Sequence, residues 1–157
     1  MQQGFFQPSS CALFGVMRAS WREGALLALD FDAPMSGVSE LATGYEMKPI
    51  WVWLTAYFAD QPLPSLPKLQ PKGTAFQQRV WAELLNLSWG ERITYAELAR
   101  RVDSAPRAVG GALRANPIPI LIPCHRVVAA TGLGGYAGAS ELGQARKKWL
   151  LEHEKAA

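Results

Sequence analysis

The chain has 157 residues, 49% hydrophobic and 18% charged, enough to build one substantial core or two small ones, which excludes a disordered or low-complexity protein. Its net charge of +3 is unevenly spread, with 4 Lys/Arg against 6 Asp/Glu in residues 1 to 70 and 12 against 7 in residues 71 to 157, so the second part is the one suited to an anionic polymer. No run of about 18 apolar residues offers a membrane span and the first ten residues lack a signal-peptide pattern, so no membrane partner and a cytoplasmic location are expected.

In chain order, Ala12 to Arg18 and Gly24 to Phe31 read as strands, and the turn around Trp21 to Gly24 makes a hairpin of them. Ile50, Trp53, Leu54, Tyr57 and Phe58 then recur at helical spacing. Pro62 to Gly73 holds four prolines and a glycine, which suits neither a helix nor a central strand and marks a linker. The expected organisation is an N-terminal α+β domain over residues 1–70, to which no chemistry is assigned, and a mostly helical domain over 71–157.

Beyond the linker, Thr74 with Gln77 and Thr94 with Glu97 fit the capping box of a helix start. From Thr74, the residues Phe76, Val80, Trp81, Leu84 and Leu85 form an apolar stripe that ends before Trp89-Gly90. A short helix from Thr94 through Val102 precedes Asp103-Ser104-Ala105-Pro106, where Ser104 can cap and Pro106 fits a first turn, and a second helix follows from Arg107 to Ala115. The pair reads as a helix-turn-helix. Its second helix is rich in small residues, Ala108, Gly110, Gly111, Ala112 and Ala115, and each interior glycine costs about 1 kcal/mol relative to alanine. Close approach of DNA or of a neighbouring helix would account for that cost. Arg107 and Arg114 lie two turns apart on one side, a placement that suits phosphate and base contact.

The segment Asn116 to Val127 carries prolines at 117, 119 and 123, which fix φ and push their neighbours to extended geometry. It is expected to enter the core as a stiff strand-like element with Cys124 at its end. The chain's two cysteines, Cys11 and Cys124, lack metal or redox spacing, so Cys124 reads as a free thiol. A reactive thiol needs a proton acceptor, and His125 is adjacent, although neighbours on an ideal strand point to opposite faces. A turn after Cys124, a helix N-terminus or a bridging water would solve this, and Glu152 or Glu154 on a C-terminal helix from Gln144 to Lys155 could fix the imidazole tautomer. The glycine-rich stretch Gly132 to Gly138 can let backbone amides approach a planar ligand. The plainer readings are a buried apolar cysteine, a core histidine and solvated glutamates.

Taken together, Phe76-Gln77-x-x-Val80-Trp81, Ile93-Thr94-Tyr95, Arg107-Ala108-Val109-Gly110, Asn116-Pro117, Pro123-Cys124-His125-Arg126-Val127 and Trp149-Leu150-Leu151-x-His153-Glu154 resemble the O6-alkylguanine-DNA alkyltransferases over about residues 74 to 155. The resemblance implies a ribonuclease-H-like small sheet with a helix in the N-terminal part and a winged-helix-like, helix-turn-helix domain after it. It implies direct reversal of DNA damage, as a methylated-DNA–protein-cysteine S-methyltransferase that flips the base and is spent after one transfer. Carried over, Cys124 accepts the alkyl group, His125 is its water-linked base, Glu154 partners that histidine, and Asn116 holds the turn linking the recognition helix to the active-site strand. Tyr95 helps rotate the phosphate and protonate the leaving guanine, and Arg107 fills the gap in the base stack. The helix with Ala108, Gly110, Gly111 and Arg114 enters the minor groove. Backbone groups of Cys124, Val127 and Ala137 read the flipped base, and Tyr136 belongs to the loop covering it.

The implied partner is double-stranded DNA containing O6-alkylguanine, met by a monomer with no obligate protein partner. A thioether product has no carbonyl for water to attack, so no cofactor and no metal are expected. Two other functions fit parts of the pattern: a damage-sensing DNA-binding protein without transfer, and a cysteine hydrolase, which would further need an oxyanion hole.

Overall fold

A computed structural model describes residues 2–34, 47–134 and 140–155 and divides the chain into two compact units, Met1–Pro71 and Lys72–Ala157. The first holds an antiparallel sheet, β1 (Gln2–Phe6), β2 (Met17–Arg22) and β3 (Ala25–Asp30) in that order, and the helix α1 (Lys48–Phe58). Glu23 and Gly24 form the β2–β3 turn with φ of 51° and 78°, the two-residue geometry whose twist matches that of the flanking strands. The strand expected at Ala12 to Arg18 begins only at Met17, because Gly15 donates to Ala12 in a turn with φ of 62°. Strand β1 was not anticipated; Phe5 is buried and pairs with Arg18, which also meets Asp30 across the sheet at 3.2 Å. The apolar spacing of α1 is as expected, with Ile50, Trp53, Leu54, Tyr57 and Phe58 buried. The proline-rich stretch is anchored at its end, where Leu26 bonds Lys68 and Gln70 at 2.9 and 2.8 Å.

The second unit contains α2 (Ala75–Leu84), β4 (Ile93–Thr94), α3 (Tyr95–Arg101), α4 (Pro106–Arg114), β5 (Val127–Val128) and α5 (Glu141–Lys155). Both arms of the Thr74–Gln77 box are made, at 3.1 and 2.9 Å. Thr94 accepts from the Glu97 amide, but the Glu97 side chain is held by Arg100 and Arg101 and completes no box. Helix α3 ends in a paired C-terminal motif, with Ser104 N–H donating to Ala99, Asp103 N–H donating to Arg100, and Asp103 at φ 53°. Ser104 is therefore committed to closing α3. The N-cap of α4 is Ala105, without a side-chain cap, which corrects the expectation for Ser104. Trp81 lies buried and donates from Nε1 to the Ala112 carbonyl at 2.9 Å, joining α2 to α4. At the other end, α5 begins earlier than expected because the Ser140 hydroxyl accepts from the Gly143 amide at 3.0 Å. The architecture is α+β, a small antiparallel sheet plus helices, with the helix-turn-helix formed by α3 and α4.

Candidate active site

The segment leading to Cys124 is a folded turn, not the strand its prolines suggested. Prolines at 117, 119 and 123 have no N–H for a ladder, and the remaining groups close locally: Leu121 donates to Pro119 and Ile122 to Ile118, at 2.9 and 3.0 Å. Asn116 holds the turn from both sides, donating from Nδ2 to Ile122 at 2.9 Å and accepting the Ile118 amide on Oδ1 at 3.0 Å. Ile120 is forced to φ 73°, a conformation that costs a β-branched residue about 1–3 kcal/mol. Cys124, His125 and Arg126 then make a single 3-10 turn, all buried. In such a turn successive side chains are offset by about 120° instead of lying on opposite faces. The parallel pairing of Ile93 with Val127 and Thr94 with Val128 brings Tyr95, the first residue of α3, beside the residues that follow this turn.

His125 Nε2 lies 2.5 Å from Glu154 Oε2, and Arg126 Nε donates to Glu154 Oε1 at 2.7 Å. Arg126 Nη1 donates to the Leu87 carbonyl at 2.7 Å, and the Gly90 amide reaches Glu154 Oε1 at 3.4 Å. Burial alone raises the Glu154 pKa, but the hydrogen bonds and charges of His125 and then Arg126 outweigh it and hold the carboxyl at about 2. Glu154 is thus an acceptor at neutral pH, and the short bond places the imidazole proton on Nε2. Burial, the dominant influence, lowers the His125 pKa, so the ring is neutral at neutral pH and charged only in acid, while Glu154 opposes that shift. Nδ1 then carries a lone pair, buried and with no hydrogen-bond partner among the described residues. Of the two candidate carboxylates, Glu154 is buried against this histidine and Glu152 is exposed. His153 instead stacks on Trp149, with centroids 4.6 Å apart.

Lys147 was not singled out in the sequence. It is fully buried, its Nζ donates to the Val127 carbonyl at 2.7 Å and lies 5.6 Å from the centre of the Tyr95 ring. Burial lowers its pKa to about 8, and an electrostatic interaction with Cys124 acts the other way. The signal was available: Gly143, Arg146, Lys147, Leu150, Leu151 and Glu154 follow one helical stripe, so three charged residues fall on the buried face of α5. Because the folded protein disfavours the ammonium, its stability rises with pH between about 8 and the ordinary lysine value of 10.5. Heat denaturation across that window should show the rise in the native protein and its loss in Lys147→Met.

On α4, Val109, Ala112 and Leu113 are buried, whereas Arg107, Ala108 and Arg114 are exposed and Gly110 and Gly111 half-buried. Beyond the helix's own backbone, a Cβ on Gly110 or Gly111 would meet, among the described residues, only the Arg114 guanidinium within 4 Å, at 3.8 and 4.0 Å, so tight packing against those residues does not account for either glycine. Neither Arg107 nor Arg114 has an ion-pair partner among the described residues, whereas Arg100 and Arg101 are tied to acidic side chains. Val127 lies beside the cysteine; its amide bonds the Cys124 carbonyl, and the Cys124 amide bonds Ile122. Tyr136 and Ala137 lie outside the described residues. No cluster of metal-ligating side chains occurs among the described residues.

Residues 75–156 match the family model described as 6-O-methylguanine DNA methyltransferase, DNA binding domain. The chain is similar to the methylated-DNA–protein-cysteine methyltransferases of Cricetulus griseus, with 45% identity over 65% of this chain and 52% of that protein, and of Metallosphaera sedula, with 52% identity over 51% and 49%. It spans about half the length of these curated relatives. Among solved structures, Mycobacterium tuberculosis OGT in complex with DNA superposes with a TM-score of 0.83 at 33% identity, covering 99% of this chain and 94% of that one.

Proposed function

Because the chain belongs to the 6-O-methylguanine DNA methyltransferase family, we propose that it repairs DNA by direct damage reversal, moving the alkyl group of an O6-alkylguanine onto Cys124. The observation that carries the reading is the buried chain Arg126–Glu154–His125, which leaves an imidazole lone pair on the residue next to the cysteine. The thiol proton passes through a water to His125 Nδ1, and Glu154 holds the imidazole tautomer that can accept it. The thiolate attacks the alkyl carbon in line: the S–C bond forms as the C–O6 bond breaks, and guanine leaves with the electron pair. Tyr95 supplies a proton to the departing base, and the Lys147 ammonium beside it favours negative charge on the sulfur. The thioether is stable to water, so the protein acts once and needs neither cofactor nor metal.

The target O6 is out of reach while the base is stacked, so the base is flipped into the site. Carbonyls of Cys124 and Val127, each able to accept a further hydrogen bond, read its edge together with Ala137, under a loop containing Tyr136. Asn116 keeps the turn in place. Helix α4 enters the minor groove, with Arg107 filling the vacated stack, Arg114 on phosphate, and Ala108, Gly110 and Gly111 permitting close approach. The DNA-bound state of the Mycobacterium tuberculosis protein supports DNA as the partner. The three-stranded sheet with α1 supports a ribonuclease-H-like reading of the first unit, and α3, α4 and the β4–β5 pair a winged-helix-like reading of the second. The reading is of a cytoplasmic monomer acting on double-stranded DNA.

Two experiments test this. Incubation with a duplex carrying one O6-methylguanine should restore guanine up to one lesion per protein molecule; continued turnover would contradict suicidal transfer. Separately, Gly110→Ala and Gly111→Ala should each raise folding stability by about 1 kcal/mol and weaken duplex binding about tenfold. Opposite signs in thermal unfolding and DNA titration identify a glycine kept for an external partner.

A further inference from the structure

Two side chains one turn apart on α5 hold the chain that follows the cysteine. Lys147 Nζ donates to the Val127 carbonyl at 2.7 Å, and Gln144 Nε2 donates to the Gly134 carbonyl at 2.6 Å. Their i, i+3 spacing places both on one face of the helix. The segment from Val127 to Gly134 is therefore fastened at both ends to one rigid element. Gly134 has φ 74°, and a Cβ there would lie 2.7 Å from Tyr95 Cε2 and 3.1 Å from the Ala129 amide nitrogen, so this backbone presses directly on the tyrosine ring. Lys147 Nζ lies over the same ring. Tyr95 is thus in contact with a tethered backbone and near a buried ammonium, beside the residues that follow the Cys124 turn.

From this we infer that Gln144 is a positioning residue that limits the size of the transferred alkyl group. The inference rests on the alkyl-transfer reading above. A methyl group between sulfur and O6 asks nothing of the surrounding wall. A benzyl group needs that wall to shift, and a shift at Gly134 must either break the Gln144 bond or drive the backbone into Tyr95. Densely packed walls resist such displacement. Releasing the Gly134 end while Lys147 still holds the Val127 end loosens the wall without removing any group that touches the reacting atoms.

The test compares transfer from duplexes carrying O6-methylguanine or O6-benzylguanine by the native protein, Gln144→Leu and Gln144→Glu. Both variants keep a side chain of similar length on a half-exposed helical position, and both remove the amide donor. The benzyl-to-methyl rate ratio should rise about tenfold or more in both, with faster amide hydrogen exchange confined to residues 127–134. A ratio that stays within about twofold of the native value in both variants would overturn the inference. If the native protein transfers methyl and the ratio does not move, only this inference falls. If the native protein transfers no methyl at all, the alkyl-transfer reading fails and this inference with it.

Discussion

Cys124→Ser should abolish alkyl transfer, by about a thousandfold or more, while the protein remains folded and still binds lesion-containing duplex. Sulfur and hydroxyl differ little in size, so the buried turn Cys124–Arg126 should survive with at most about 1–3 kcal/mol lost for burying a hydroxyl. What disappears is the nucleophile. A thiol yields its proton to a neutral imidazole far more readily than a serine hydroxyl does, and a soft sulfur anion attacks saturated carbon well. Loss of methyl from a labelled duplex, measured beside equilibrium binding and thermal unfolding of the same sample, separates the chemical effect from misfolding. Retained transfer would remove Cys124 from the mechanism.

Glu154→Gln should reduce transfer about as severely and also weaken the fold. The amide must present its oxygen to Arg126, which only donates, leaving its NH2 facing His125 Nε2. The imidazole then accepts at Nε2 and carries its proton on Nδ1, where it can no longer take one from the thiol. Wrong-tautomer changes of this kind cost about 10⁴-fold in a related triad. Arg126 meanwhile loses the charge opposite it at a buried position, a change that typically costs about 3–5 kcal/mol. The pH dependence follows from the carboxyl held near 2 instead of 4.5. A carboxylate with a lowered folded-state pKa contributes stability above its unfolded value and loses it as pH falls through the folded one. That contribution, about 3 kcal/mol, should vanish between pH 4.5 and about 2 in the native protein and be absent from the glutamine variant. Chemical denaturation at several pH values in that interval checks the sign.

The sequence made the helical parts legible because their periodicity is long and their starts are chemically marked. The stripe of α1 and the capping box of α2 are local signals, and both occur as read. Legibility failed where tertiary partners decide. Strand β1 is short and is defined by pairing with β2, and Ser104 closes the helix before it instead of opening the one after it. The proline segment misled for a specific reason: three missing donors exclude a ladder, so stiffness is expressed as a turn bound by Asn116. The 3-10 turn that follows it, Cys124–Arg126, is what gives Cys124 and His125 a relative orientation an extended chain would deny them. Within the site, the carboxylate behind the histidine was narrowed to Glu152 or Glu154 by position and singled out as Glu154 by resemblance. Arg126 and Lys147 gained their structural parts only in three dimensions, although the buried stripe of α5 carried the hint for Lys147.

The central claim is that a covalent bond forms between Cys124 and the alkyl carbon. Peptide-level mass spectrometry after mixing the protein with a duplex bearing one O6-methylguanine tests it most directly. The account predicts one added methyl group per protein molecule, located on Cys124, together with an equal quantity of restored guanine in the DNA. Guanine restored without a methyl on the protein, or a methyl found on Cys11, would contradict it.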